Sequence, residues 1–295
     1  MYLSIFQLFC AYALITITNV IDATLTPTYS LDIAKTAVWL SGASYCNKEN
    51  YKTMVLSGPA TGFIVESILY DPKSDLQGFV GVLPSTKSIY ITFRGSSSVR
   101  NWLDDFKVLK TSYVTYPECN CAVHKGFYGA TTSLKSQVID IVKILNKKYR
   151  YDNIIVTSHS LGAAVGQLIA MELKATTSIN STLLSSLSIY NFGQPRIGDA
   201  KYAAFVNTIL GENKLWRFTH NTDIVPHIPP LKMGYEHSCR EVFEEKDGLL
   251  RMCSASSGED PTCADQYSLV HTTISDHEIY LGHFLDCKNS TKMIQ

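Results

Sequence analysis

The stretch Asn153-Ile154-Ile155-Val156-Thr157-Ser158-His159-Ser160-Leu161-Gly162-Ala163-Ala164 runs from an apolar segment through two serines flanking a histidine into a row of small residues. A strand, a sharp turn that carries a serine, and a helix form a nucleophile elbow, with the pattern G-x-S-x-G. Here Ser158 stands where the first glycine belongs. Strand and helix approach closely at such a turn, so its flanking positions must be small. Gly162 meets that need on one side, and Ser158, with only a hydroxymethyl, meets it on the other. Ser160 takes the central position, whereas Ser158 still belongs to the strand. His159 precedes the serine and is turned away from the site.

Outward from this stretch, strand-like and helical patterns alternate. Strands are expected at 153–157, 187–192 and 214–219, and helices at 161–174 and 199–210. Upstream, Leu31 to Tyr45 and Phe127 to Tyr149 place apolar residues at helical spacing. Short strands are expected at Phe63-Ile64-Val65, Leu76 to Leu83 and Ser88 to Phe93. Alternation of this kind predicts one α/β domain over residues 24–295 with a largely parallel sheet.

A serine hydroxyl needs a general base, and the base needs a carboxylate that fixes its tautomer. Asp223, in "THNTDIVPHIPP", follows the strand at 214–219, where open α/β sheets place their chemistry. For the base, "LVHTTISDHEIYLGHF" offers His271, His277 and His283, and the residues alone leave that choice open. The H-E-x-x-x-x-H spacing lacks the i, i+4 histidine pair of zinc proteases, so no metal and no cofactor is expected. In "IYITFRGSSSVRNWLDDF", Gly95 permits a close backbone approach. Ser96 can then offer an N–H and a hydroxyl to an oxyanion, alongside the N–H of Leu161. Val99, Trp102, Leu103 and Phe106 recur at i, i+3, i+4 and i+7, a short amphipathic helix beside that loop. It reads as a core-facing helix or as a lid that lays its apolar face on lipid.

The formal net charge is zero, from 26 basic and 26 acidic residues, which leaves no electrostatic footprint for nucleic acid. The first charged side chain is Asp22. The apolar segment before it predicts a signal peptide over residues 1–23, with an uncleaved anchor as the alternative. Export permits disulfides among the seven cysteines after Cys10, and the odd number predicts an unpaired one. Asn180 and Asn289 begin N-x-S/T sequons.

Four blocks in order, "FRGSSSVRNW", "SHSLGAA" leading to "NFGQPRIGD", "THNTDIVPHIPP" and "DHEIYLG", resemble the fungal-type class 3 triacylglycerol lipases. The resemblance spans Phe93 to Gly282 and implies an α/β-hydrolase fold: a central, mostly parallel sheet flanked by helices, with a short lid helix. It implies Ser160 as nucleophile, Asp223 as orienting carboxylate and His277 as base. Ser96 and Leu161 would form the oxyanion hole, and 97–107 the lid. It also implies the bridges Cys46–Cys287, Cys253–Cys263 and Cys119–Cys121, with Cys239 left over. The expected substrate is an acylglycerol ester met at a lipid surface, with no obligate protein partner. Phospholipase A1, feruloyl or short-chain esterase activity, and a non-catalytic lipid-binding role, are the alternatives on the same scaffold.

Overall fold

In the computed structural model of the chain, residues 29–292 are described except 212 and 255, so the signal-peptide expectation for 1–23 lies outside the described residues. The chain opens with α1 (Leu31–Ala43), capped by the Ser30 hydroxyl, which accepts the Ile33 N–H. Then come β1 (Ile64–Asp71), β2 (Leu76–Leu83), β3 (Ser88–Phe93), α2 (Val99–Asp104), and a small antiparallel pair, β4 (Lys110–Ser112) and β5 (Ala122–His124). The long α3 (Lys125–Tyr149) leads into β6 (Asn153–His159) and α4 (Leu161–Lys174). After these lie α5 (Ser181–Ser186), β7 (Ser188–Phe192), α6 (Ala200–Leu210) and β8 (Leu215–His220). Two short strands, β9 (Glu241–Glu244) and β10 (Leu250–Met252), precede the pair β11 (Ile279–Tyr280) and β12 (His283–Phe284), and α7 (Cys287–Ser290) closes the described chain.

Eight strands form one sheet in the order β1-β2-β3-β6-β7-β8-β9-β10. From β3 through β9 every neighbouring pair is parallel, and antiparallel strands add to both ends. The strands in the middle of this sheet are buried on both faces, so they read as continuous apolar runs rather than alternating ones. One face packs on α3, α4 and α6 through Leu134, Val138, Val165, Leu168 and Val206. The other packs on α1 through Ala34, Val38 and Leu40, against Phe192, Trp216 and Phe218.

Most expected elements appear within two or three residues of their limits. β9 and β10 were not expected. Both ends of β9 are glutamates, yet Glu241 and Glu244 are buried. Glu241 is held by the Thr219 hydroxyl (2.6 Å) and the Ala264 N–H (3.0 Å), which disguises a buried strand as a polar one. Helix α2 is shorter than the expected amphipathic stretch. It starts where Ser98 Oγ accepts the Asn101 N–H and ends at Asp104, so Phe106 lies beyond it.

Candidate active site

Between β6 and α4 only Ser160 makes the turn, with φ 58° and ψ −133°. A non-glycine residue held there stores backbone strain that the surrounding structure must fix. The Ser160 N–H is anchored on the Phe192 carbonyl at 3.0 Å. A Cβ on Gly162 would lie 2.4 Å from the Phe93 carbonyl oxygen and 2.7 Å from that of Arg94, so that position excludes side chains. Ser158 does more than stay small. Its hydroxyl accepts the Phe93 N–H at 3.0 Å and donates to the Thr157 carbonyl. Room for that oxygen comes from Gly166 on α4, where a Cβ would stand 3.1 Å from Ser158 Oγ.

Asp223 follows the end of β8, and a bridge to Thr273 brings the late histidine segment against it. His277 Nδ1 lies 2.8 Å from Asp223 Oδ2, with both side chains buried. The ionised carboxylate can only accept, so Nδ1 carries the proton and Nε2 presents its lone pair. Asp223 Oδ1 accepts the Val225 N–H at 2.8 Å, and Tyr280 Oη donates to Oδ2. Burial, and then the Asp223 charge, push the Tyr280 phenol well above its ordinary range, so it remains a donor. Neither Ser160 Oγ nor His277 Nε2, both buried, has a hydrogen-bond partner among the described residues. The other two late histidines go elsewhere. His271 is exposed and bonds Ser268 Oγ. His283 is buried, stacks on Trp39 at 3.8 Å and bonds Ser290 Oγ; burial lowers it to about 4.

Sequence reasoning missed Gly193, Tyr280 and Tyr45. Gly193 has φ +54°, and a Cβ there would sit 2.7 Å from His277 Nδ1 and 2.9 Å from Asp223 Oδ2. The glycine of "NFGQPRIGD" was the available signal, since a positive φ and a close approach both demand that residue. Tyr280 stands inside the "DHEIYLG" block, which gave it no role of its own, and Tyr45 belongs to the opening segment and carried no motif.

Ser96 and Leu161 line one cavity of about 330 Å³ together with Gly95 and Trp102. Leu161 is the first residue of α4, where an N–H has no acceptor within its own helix and the helix dipole favours negative charge. An apolar cavity of about 370 Å³ adjoins it, lined by Leu76, Trp102, Phe106, Phe127 and Leu161. One of mixed lining, about 530 Å³, lies on the Tyr45 side, with Ser97, Arg100, Glu278 and Phe284 in its walls. Val99, Trp102, Leu103 and Phe106 are each partly buried. Trp102 meets Phe127 at 6.5 Å between ring centroids, and Phe106 stacks on His124 at 4.9 Å. The apolar side of this segment therefore faces the protein here.

Cys46–Cys287, Cys119–Cys121 and Cys253–Cys263 are disulfides, and Cys239 is free. Glu241 lies near Cys253 and Cys263, but those sulfurs are spent in their bridge. Asn180 and Asn289 are exposed; Asn180 Oδ1 caps α5 through the Thr182 N–H, and Asn289 Nδ2 donates to Asp286. No described helix is long and apolar enough to cross a membrane.

A family model described as "Lipase (class 3)" matches residues 90–233. A lipase from Rhizomucor miehei is 35% identical over 211 residues, which cover 70% of this chain and 56% of that protein. The chain belongs to the class 3 lipase family. A secreted mono- and diacylglycerol lipase A from Penicillium cyclopium is 33% identical over 187 residues, covering 62% of this chain and 57% of that one. The chain thus spans a little over half the length of these curated relatives. A solved triacylglycerol lipase, whose catalytic centre is a serine protease triad, superposes with TM-score 0.77 at 28% identity. That superposition covers 87% of this chain and 96% of the other, and the shared architecture is the α/β-hydrolase fold. The class 3 segment contains Ser96, Ser160 and Asp223, while His277 lies beyond it and reaches the site through the Asp223–Thr273 bridge.

Proposed function

We propose that this chain is an exported serine acyl-ester hydrolase that cleaves acylglycerol esters at a lipid–water surface. The observation that carries this reading is the pair of buried, unpartnered atoms, Ser160 Oγ and His277 Nε2, on a lipase-family elbow. Ser160 Oγ attacks the ester carbonyl while His277 Nε2 takes its proton. Asp223 stabilises the imidazolium through Nδ1–H and remains ionised. The N–H of Leu161 and the donors of Ser96 meet the oxyanion. His277 then returns the proton to the leaving alcohol oxygen, and water enters by the same route to release the acid. The apolar cavity walled by Trp102 and Phe127 suits the acyl chain. Arg100 and Glu278 in the mixed cavity suit a leaving group with free hydroxyls or a headgroup, ranking partial glycerides and phospholipids beside triacylglycerol.

Ser160 is fully buried, and the segment at 97–107, which shares a cavity wall with Leu161, is the part that would move to admit substrate. Lifting it would turn Trp102, Leu103 and Phe106 towards lipid, which fits a lid. Export rests on the apolar segment at 1–23, the three disulfides, and a Penicillium relative named as secreted.

The decisive experiment is hydrolysis of a chain-length series of esters below and above their solubility limits by the parent and by Ser160→Ala. A rate jump at the interface that disappears in Ser160→Ala is expected. Retained turnover in that variant would remove Ser160 as nucleophile, and highest activity on short dissolved esters would replace lipase by esterase. Ser96→Ala should lower kcat about 10²–10³-fold, the usual cost of one oxyanion donor.

A further inference from the structure

His159, expected to turn away from the site, is buried beside it in the wall of the cavity that Tyr45 and Ser96 also line, and the proposed chemistry gives it no task. Its Nε2 lies 2.8 Å from the main-chain carbonyl oxygen of His277, and its Nδ1 lies 2.6 Å from Tyr45 Oη. The two imidazole rings stand 4.2 Å apart between centroids. A carbonyl oxygen can only accept, so Nε2 must carry the proton. In a neutral ring Nδ1 then only accepts, so the Tyr45 O–H donates to it. One tautomer of an uncharged ring satisfies both contacts. Burial, reinforced by the adjoining His277, lowers His159 well below the ordinary histidine value and keeps it in that form.

We propose that Tyr45 and His159 are positioning residues that set the height and tilt of the His277 imidazole, an inference resting on the role given to His277 above. The backbone around His277 explains the need. The residue sits in a 3-10 turn, Ser275–Glu278, followed by the two-residue strand β11, so no regular ladder fixes its carbonyl. Imidazoles supply the missing bonds on two consecutive peptides: His220 Nδ1 donates to the Asp276 carbonyl at 2.9 Å, and His159 Nε2 to that of His277. Asp223 fixes the plane of the ring through Nδ1. His159 thus fixes the end at the main chain, and Tyr45 fixes His159. Tyr45 is itself held in place, since a Cβ on Gly95 would come within 2.3 Å of its hydroxyl. The opening segment and the strand before the nucleophile are thereby tied to the base. The ring that carries the tie is the "x" of the G-x-S-x-G pattern.

The test compares His159→Phe, His159→Gln, Tyr45→Phe and Ser160→Ala on a dissolved short-chain ester, with kcat and KM measured separately and thermal melts recorded. His159→Phe keeps the aromatic volume against His277 and loses both hydrogen bonds. It should lower kcat about 10–100-fold, because misplacing a reacting group by about 1 Å costs up to 10²-fold, with KM changed less than about twofold. His159→Gln, whose side-chain amide can donate where Nε2 does, should recover part of that loss. Tyr45→Phe removes one hydroxyl and should lower kcat with KM unchanged, which keeps the idea testable if His159→Phe does not fold. The proposal is overturned if both phenylalanine variants keep kcat within twofold of the parent while Ser160→Ala is inactive. It is also overturned if KM rises in step with the fall in kcat, because that pattern places the loss in substrate binding, or if the melts show that the fall in kcat matches a loss of folded protein. Activity retained by Ser160→Ala would instead overturn the reading of the site itself.

Discussion

Gly193→Ala applies the most direct geometric strain to the proposed base. A Cβ at this position would stand 2.6 Å from His277 Cε1, 2.7 Å from Nδ1 and 2.9 Å from Asp223 Oδ2, where ordinary contact begins at 3.4 Å. Relieving the overlap needs a displacement on the order of 1 Å, and the atoms in the way belong to the Asp223–His277 pair. The imidazole cannot retreat freely, because Asp223 holds its Nδ1, Tyr280 holds Asp223 in turn, and the His159 ring stands 4.2 Å away between centroids. Two costs follow. The left-handed backbone at φ +54° charges alanine about 1–2 kcal/mol of stability relative to glycine. A displacement of that size at the base lowers kcat by ~10². The assay is steady-state hydrolysis of a dissolved short-chain ester, so that no interface confuses kcat with lipid binding, run beside urea unfolding of the same samples. A kcat within twofold of the parent in folded Gly193→Ala would refute the claim that His277 must occupy its observed place.

Asp223→Asn leaves the volume unchanged but turns the imidazole to the wrong tautomer, so kcat on the same ester should fall by about 10⁴-fold. Removing both Cys46 and Cys287 by serine opens a bridge across a sequence separation of 241 and should cost about 2–5 kcal/mol in urea unfolding, with kcat preserved. Asp265 shares the Arg196 guanidinium with Glu259. Burial and the Glu259 carboxylate push Asp265 up to about 7 from an ordinary 3.8. Between those values the folded chain holds a proton that the unfolded chain has released. This site's contribution to stability is therefore complete below about pH 4 and lost as pH rises through 7. Asp265→Asn should flatten the stability decline between about pH 4 and 7, and an unchanged slope would contradict the assignment.

Much of the site was legible because its chemistry is written in consecutive residues. Strand, Ser160 and Gly162 form one local unit, and the elbow appears where that unit predicts it. Asp223 was readable from its place after a strand. His277 was not separable from His271 and His283 by residue type, and the family resemblance singled it out. The structure brings the same residue to Asp223, through a tertiary bridge that no local pattern encodes. The roles of Gly193, Tyr280 and Tyr45 were hidden for the same reason, since each acts through a contact with a distant segment, although Gly193 and Tyr280 stand inside the quoted blocks. β9 escaped notice because Glu241 and Glu244 look solvent-facing until Thr219, Ala264 and Leu281 are seen to satisfy them. Trp102 and Phe106 had the right periodicity, but periodicity does not say whether an apolar face meets protein or lipid.

Ser158 shows how the elbow accommodates its missing glycine. The pattern asks for a small residue at position 158 because α4 passes close behind the strand. In this chain a glycine, Gly166, lies on the helix side of the contact, and the space beside it holds a hydroxyl bonded to the Phe93 N–H and the Thr157 carbonyl. Ser158→Gly would restore the pattern and yet remove that buried hydroxyl and its hydrogen bonds. The cost should be about 0.5–1.5 kcal/mol for the lost hydrogen bonding, with a further 0.5–1 kcal/mol for glycine in a strand. Ser160 and its neighbours on the reacting side would be untouched, so kcat should stay within twofold while the urea midpoint falls. A variant that gained stability would mean that Ser158 is merely tolerated. A variant that lost activity without losing stability would mean that the hydroxyl reaches the chemistry.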